Sequence, residues 1–200
     1  MEKNVIYFDS NKKYHDFVVT QRKNEIGEGA EGIVYITKNN EVIKEIFNAR
    51  EKYPNDDLLM ESDIKLDSFL FPKELYVCRN EIIGYKTDYF RNIFRDFDGN
   101  IKDIDLDAVV KAGYKMMKDV EILSKMDYIL YDLPYNVLFD GKVLKAIDTL
   151  GYYKDSNETL HKNTILLRDA LIYALTMHDG WISDKEEKHF KRVLTKAFKE

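Results

Sequence analysis

Residues 26–35 read IGEGAEGIVY, and the run continues as ITKNNEVIKEIF to residue 47. Three glycines, Gly27, Gly29 and Gly32, stand at intervals of two and three and lead into an apolar, β-branched stretch. Two such stretches, GIVYIT and VIKEIF, flank KNNE, and an Asn-Asn pair between β-prone runs is good hairpin chemistry. The segment therefore predicts strands joined by a tight turn, which makes the front of the chain a sheet. The glycines themselves have two readings: a turn that needs positive φ, or a loop whose backbone approaches a phosphate. Only the rest of the chain can separate them.

Composition narrows the field. At 200 residues with 44% apolar side chains, the chain can bury a core of one domain or two small lobes. Charged residues make up 34% with both signs interspersed and a net charge of −5, which argues against a general binder of nucleic-acid backbones. Cys78 is the single cysteine, so an internal disulfide framework and a cysteine-rich zinc site are both excluded. The four histidines are scattered rather than set at metal-ligand spacing. The start, MEKNVIYFDS, lacks a long apolar stretch, and no later run reaches the ~20 apolar residues of a membrane span. The expectation is a cytoplasmic protein, or an effector secreted without a cleavable signal, with no membrane and no nucleic-acid partner.

Outward from the glycine run, NVIYF and FVVTQ read as further strands, as do ELYVC and EIIGYKTDYF on either side of RNE. Between them, NDDLLMESDIKLDSFLF carries an apolar face at helical spacing behind an Asn55 or Asp56 cap. From Asp105 the pattern turns helical, with Leu106, Val109, Val110, Met116, Met117, Val120 and Leu123 at helical intervals. YILYDLPYNVLFDGKVLKAIDTLGY predicts two apolar strands about a turn at DGK. A strong helix over NTILLRDALIYALTMH and a polar-faced one over DKEEKHFKRVLTKAFKE complete the chain. The organisation is β-rich in front and helix-rich behind, joined near residues 88–100.

The glycine run is followed by Lys44 in EVIKEIF, then by Glu61 in the expected helix, then by YDLPYNVLFDGKVLKAID. This set and its order resemble the protein-kinase-like superfamily: a glycine loop, a strand lysine, a helix glutamate, a catalytic-loop Asp and Asn, and a metal-binding Asp. The likeness covers roughly residues 24–152 and is to small kinases with a trimmed C-terminal lobe, such as bacterial effector kinases and the atypical kinase of the tRNA-modification complex. It implies an α+β, two-lobed fold: a small antiparallel-sheet N-lobe over residues 1–90 and a reduced helical C-lobe over 91–200. It implies ATP with Mg²⁺ or Mn²⁺, and a protein Ser or Thr as acceptor.

Residue by residue, the resemblance assigns Gly27, Gly29 and Gly32 to the lid over the phosphates and Val34 to the base. Lys44 would meet the α- and β-phosphates, held by Glu61 with Glu51 and Glu74 as competitors for that role, and the backbone around Asp88, Tyr89 and Phe90 would meet adenine. Asp132 would take or orient the acceptor's proton, while Asn136 and Asp148 would hold the metal. From the residues alone, Lys44 sits between Ile43 and Ile46 in a half-buried run where an unpaired ammonium is costly. Asp132 and Asn136 can equally be turn-formers.

Departures from the pattern are specific. Leu130 and Tyr131 replace the usual histidine and arginine, Thr149 replaces the phenylalanine after the metal Asp, and Pro134 lies in a shortened Asp-to-Asn interval. About fifty residues follow Gly151, fewer than a full helical lobe. Two alternatives stay open: a pseudokinase or nucleotide-binding interaction module, and a small-molecule kinase.

Overall fold

The computed structural model describes residues 4–50, 66–93, 104–176 and 183–199. Over these residues the fold class is α+β, with a mixed six-stranded sheet and four α-helices. The chain forms two compact units. One takes the described residues of Met1–Ile64 with Phe71–Tyr89, the other those of Lys65–Leu70 with Phe90–Glu200.

In the first unit the strands are β1 (Asn4–Phe8), β2 (Arg22–Gly29), β3 (Gly32–Thr37), β4 (Glu41–Arg50), β5 (Glu74–Cys78) and β6 (Glu81–Asp88). They lie in the order β1-β5-β6-β4-β3-β2. Hairpin chemistry explains two of the connections. Asn40 carries φ 61 between β3 and β4, and Arg79 and Asn80 carry φ 53 and 66 between β5 and β6. Asparagine tolerates this left-handed backbone better than most residues. The expected all-antiparallel sheet needs correction, because β1 runs parallel to β5 along Asn4↔Glu74 to Phe8↔Cys78. A parallel neighbour needs a long crossover, and here everything from residue 9 to residue 73 lies between the two strands.

A second correction concerns FVVTQ, which ends a helix, α1 (Asn11–Gln21), rather than forming a strand. Ser10 caps it by accepting from the Lys13 N–H, and the helix buries Tyr14 and Val18. Those two side chains join Tyr35, Ile43, Tyr76, Cys78 and Ile83 in one core, with Phe8 and Phe17 packed against it. Phe17 meets the Tyr76 ring edge-on at 5.4 Å, and Tyr14 lies 5.6 Å from it. Valine's strand preference, worth well under ~1 kcal/mol, loses to the burial of this aromatic face.

The second unit holds α2 (Leu106–Lys125), β7 (Tyr128–Ile129), β8 (Val137–Phe139), β9 (Leu144–Ala146), β10 (Tyr153–Lys154), α3 (Thr159–Thr176) and α4 (Asp184–Ala197). Asp105 caps α2 through the Asp107 and Ala108 N–H groups, and Val109, Met116, Val120 and Leu123 form its buried stripe. The stripe packs against α3, whose Leu167, Leu171 and Leu175 are fully buried. β8 and β9 pair antiparallel about Asp140–Val143, where Gly141 supplies φ 100.

Of the helix expected over residues 55–71, residues 55–65, including Glu61, lie outside the described residues. Residues 66–71 are not helical. Phe69 bridges Ala146 in parallel, the Ala146 N–H donates to Ser68 O (2.7 Å), and the Leu70 N–H donates to Ala146 O (2.9 Å). The buried carboxylate of Asp119 accepts from the Ser68 N–H at 2.6 Å. The Ser68 and Leu70 N–H groups and the Ser68 carbonyl are thus taken by β9 and by the Asp119 carboxylate on α2, and one local turn bond, from the Phe69 N–H to the Leu66 carbonyl (3.3 Å), stands in place of a helical ladder.

Three buried tyrosines set the alkaline limit of the fold. Burial pushes Tyr14, Tyr76 and Tyr152 far above the ordinary tyrosine value of 10.0, with Glu45 adding to the shift at Tyr14, Glu74 at Tyr76, and Asp148 then Asp132 at Tyr152. The folded chain keeps these phenols neutral, whereas the unfolded chain ionises them near pH 10. Stability is therefore intact below about pH 10 and falls above it, by up to ~1.4 kcal/mol per pH unit per tyrosine. Thermal melts should be flat to about pH 9 and drop steeply beyond pH 10, and an ultraviolet titration should show Tyr14, Tyr76 and Tyr152 ionising only as the chain unfolds.

Among the described residues no helix is long and apolar enough to cross a membrane.

Candidate functional site

In the first unit, strand register puts the glycine run and Lys44 in one row. Gly27 stands opposite Val34, Val34 opposite Lys44, and Lys44 opposite Tyr85, so these positions share one face of the sheet. Ile43, one residue away, turns to the α1 core on the other face. Lys44 is 8% exposed, and its Nζ lies 3.4 Å from Glu31 Oε2. Glu31 belongs to the two-residue turn between β2 and β3, so the glycine hairpin itself supplies an acidic partner for the lysine. The sequence reading assigned that role to Glu61, which lies outside the described residues, and gave Glu31 none.

The glycines divide into two kinds. Gly29 and Gly32 bracket the hairpin turn at residues 30–31, but none of the three carries a positive φ, so backbone conformation does not require glycine at these positions. Gly32 is required by packing, since a Cβ there would stand 1.9 Å from the Glu45 carbonyl oxygen. At Gly27 and Gly29 a Cβ would meet nothing within 4 Å. The fold demands a bare backbone at Gly32 only. Accordingly, Gly32→Ala should cost about 1–3 kcal/mol of stability by overpacking. Gly27→Ala and Gly29→Ala should leave the melting temperature unchanged or slightly raised, because alanine narrows the unfolded ensemble. Thermal melts of the three variants check the division.

Asp88 ends β6, opposite Glu41, and its carboxylate is ion-paired with Lys73. Phe90 follows outside any strand and is half-buried.

In the second unit, Asp132, Asn136 and Asp148 come together around the β8–β9 hairpin. Asp132 opens a 3₁₀ turn, Leu133–Tyr135, and Asn136 closes it. Pro134 sits inside this turn, where its missing N–H is not needed. Asn136 Nδ2 donates to the Asp132 carbonyl oxygen at 3.0 Å, which turns Oδ1 into the amide's remaining group. The Ile147 N–H donates to the Asn136 carbonyl oxygen at 2.9 Å and so places Asp148 next in line. Asp148 itself has φ 57 and ψ 47, a left-handed backbone that aspartate tolerates at a cost of about 1 kcal/mol. Gly151 lies against Asp132: a Cβ at 151 would be 2.2 Å from Asp132 Oδ2. Tyr152, fully buried, feels the negative charge of both Asp148 and Asp132, and its hydroxyl has no hydrogen-bond partner among the described residues.

Two features of this loop were missed in the sequence. Asn163, fully buried on α3, accepts from the Leu130 N–H (2.9 Å) and donates to Tyr128 O (2.7 Å) and Ser124 Oγ (2.9 Å). It thereby fixes the two residues on either side of Ile129 and the approach to Asp132. Its signal was an asparagine among TILL and LIYAL, a polar residue in an apolar helix that needs buried partners. The other is the full burial of Leu130, whose departure from the resembled pattern the sequence shows but whose place in the core it does not.

Oxygen-rich sites with a few protein ligands suit Mg²⁺ or Mn²⁺, which keep waters and phosphate oxygens as further ligands. Asn136 Oδ1 and the Asp148 carboxylate are donors of that chemical type, and the bond from the Ile147 N–H to the Asn136 carbonyl brings the two residues' main chains close in the hairpin. Among the described residues no group of three His, Cys, Asp or Glu side chains forms a self-sufficient metal site.

No protein-family model matches the chain, and no curated protein matches it.

Proposed function

We propose that the chain has a two-lobed, protein-kinase-like fold and catalyses ATP-dependent phosphoryl transfer to a hydroxyl, most simply Ser or Thr of a protein. The observation that supports this best is the grouping of Asp132, Asn136 and Asp148, three residues spread over seventeen positions that the β8–β9 hairpin gathers with Gly151 beneath Asp132.

In this reading Lys44 meets the α- and β-phosphates, and Gly27 and Gly29 keep their side of the hairpin low enough for the phosphates to approach main-chain N–H groups. Val34, next to both in the row, packs on the base, and the main chain at Asp88–Phe90 hydrogen-bonds it. Asp132 orients the acceptor hydroxyl and takes its proton as the oxygen bonds to the γ-phosphorus. The bond from that phosphorus to the β–γ bridging oxygen breaks, and ADP leaves. Asn136 and Asp148 hold the divalent ion, which, when bound, neutralises charge on the β- and γ-phosphates. A pairing of Lys44 with Glu61, which lies outside the described residues, stays part of the proposal.

The experiment is incubation with γ-labelled ATP and Mg²⁺ or Mn²⁺, with a generic protein acceptor and alongside the Gly27→Ala, Gly29→Ala and Lys44→Met variants. Label transfer by the wild type that falls at least ~10²-fold in Lys44→Met supports the reading. Nucleotide binding without transfer would make the chain a pseudokinase-type binding module. Absence of both would overturn the assignment.

A further inference from the structure

The last helix carries a charge pattern that the phosphotransfer reading does not use. Lys185, Lys188, Arg192 and Lys196 are all exposed, and at 100° per residue they fall within a sector of about 80° along about 16 Å of α4. His189 lies on the flank of the stripe, 3.3 Å from Arg192, and Lys199 follows just beyond the helix. Lys185, Lys188 and Lys196 have no acidic partner among the described residues, while Lys191, on a different side, is paired with Glu187. The three acids of the first turn, Asp184, Glu186 and Glu187, fall outside the sector. In a chain of net charge −5, four cations on one face without acids among them are a local excess.

The opposite face of α4 is already occupied. Leu194 and Phe198 are buried, Phe198 packs 5.3 Å from the Tyr114 ring, and Tyr114 donates its hydroxyl hydrogen to the Ala197 carbonyl. The helix is therefore anchored in its own unit and offers charge, not apolar surface, to the outside.

We propose that this stripe docks the protein on an anionic lipid surface. Specific protein interfaces are depleted in lysine and built on aromatic anchors, and the stripe has lysines and no aromatic residue. Sequence-specific base recognition adds amide side chains or stacking rings to its arginine and lysine contacts, and within the stripe only the cations are present. A plane of acidic headgroups needs neither: each lysine or arginine near the surface contributes independently and without register, at about fivefold in partitioning per residue.

Co-sedimentation with phosphatidylcholine vesicles, plain or containing about one third phosphatidylserine, tests this at ~0.05 M and ~0.5 M salt. Expected is binding to the phosphatidylserine vesicles only, lost at high salt. The exposed triple variant Lys188→Ala/Arg192→Ala/Lys196→Ala should lower it about 100-fold with an unchanged melting temperature. Lys191→Ala, which removes a charge from another side, should change it by about twofold at most. Equal binding to both vesicle types, no binding to either, or wild-type binding by the triple variant would overturn the proposal. So would salt-sensitive capture of polyglutamate or duplex DNA in place of vesicles. None of these readouts depends on phosphoryl transfer.

Discussion

Asp148→Asn is expected to lower the rate of γ-phosphoryl transfer by about 10³-fold while leaving the fold intact, because losing a charged ligand of the divalent ion removes several kcal/mol of charge neutralisation in the transition state. Asparagine is the right replacement. It adopts the left-handed backbone found at φ 57 as readily as aspartate, so stability is not confounded with chemistry, as it would be for a residue that resists that conformation. Asp132→Asn should cost between ~10² and ~10⁴, the range of a positioned general base. Its side chain touches the Gly151 backbone, and the near-isosteric swap keeps that contact. The two variants should differ in metal dependence: raising Mg²⁺ or Mn²⁺ should recover part of the Asp148→Asn loss and none of the Asp132→Asn loss. Wild-type rates in both variants would place the measured activity in a contaminant and remove the case for an enzyme.

The second large effect is structural. Asn163→Leu should destabilise the second unit by about 3–5 kcal/mol, a large share of the ~5–15 kcal/mol available to a typical domain. Leucine keeps the branching of asparagine, is bulkier, and replaces none of its hydrogen bonds. The Leu130 N–H and the Tyr128 carbonyl, both on buried residues, then lose their partner, at ~1–3 kcal/mol for each buried group left unsatisfied. Ser124 keeps its bond to the Val120 carbonyl and adds less. A urea titration followed by circular dichroism measures the loss, and Asn157→Ala, on the exposed connection before α3, serves as the surface comparison. A loss under about 1 kcal/mol would mean that water takes over the abandoned groups. Because Asn163 holds the chain just ahead of Asp132, any Asn163→Leu protein that still folds should also transfer phosphate more slowly.

Much of the architecture was legible in the residues one element at a time. The Asn-Asn and Arg-Asn turns, the alternation around Lys44, the apolar stripe of α2 and the DGK hairpin are local signals, since turn chemistry and periodicity act within a few residues. So were the positions worth testing: Lys44, Asp132, Asn136 and Asp148 stand out by type and order, without any knowledge of contacts.

What tertiary structure decided is where several conformations cost nearly the same locally. FVVTQ has strand propensity and still folds as a helix, because Tyr14 and Val18 gain more from Tyr76 and Ile43 than valine loses. Residues 66–71 have helical spacing and still pair with Ala146, because Asp119, some fifty residues away in sequence, offers Ser68 a buried acceptor. The parallel placement of β1, the pairing of Lys44 with Glu31, the reason for Gly32 and the triple bond of Asn163 belong to the same class. Each is a contact between residues far apart in sequence or a clash with another strand's backbone, and no window of neighbouring residues contains that information.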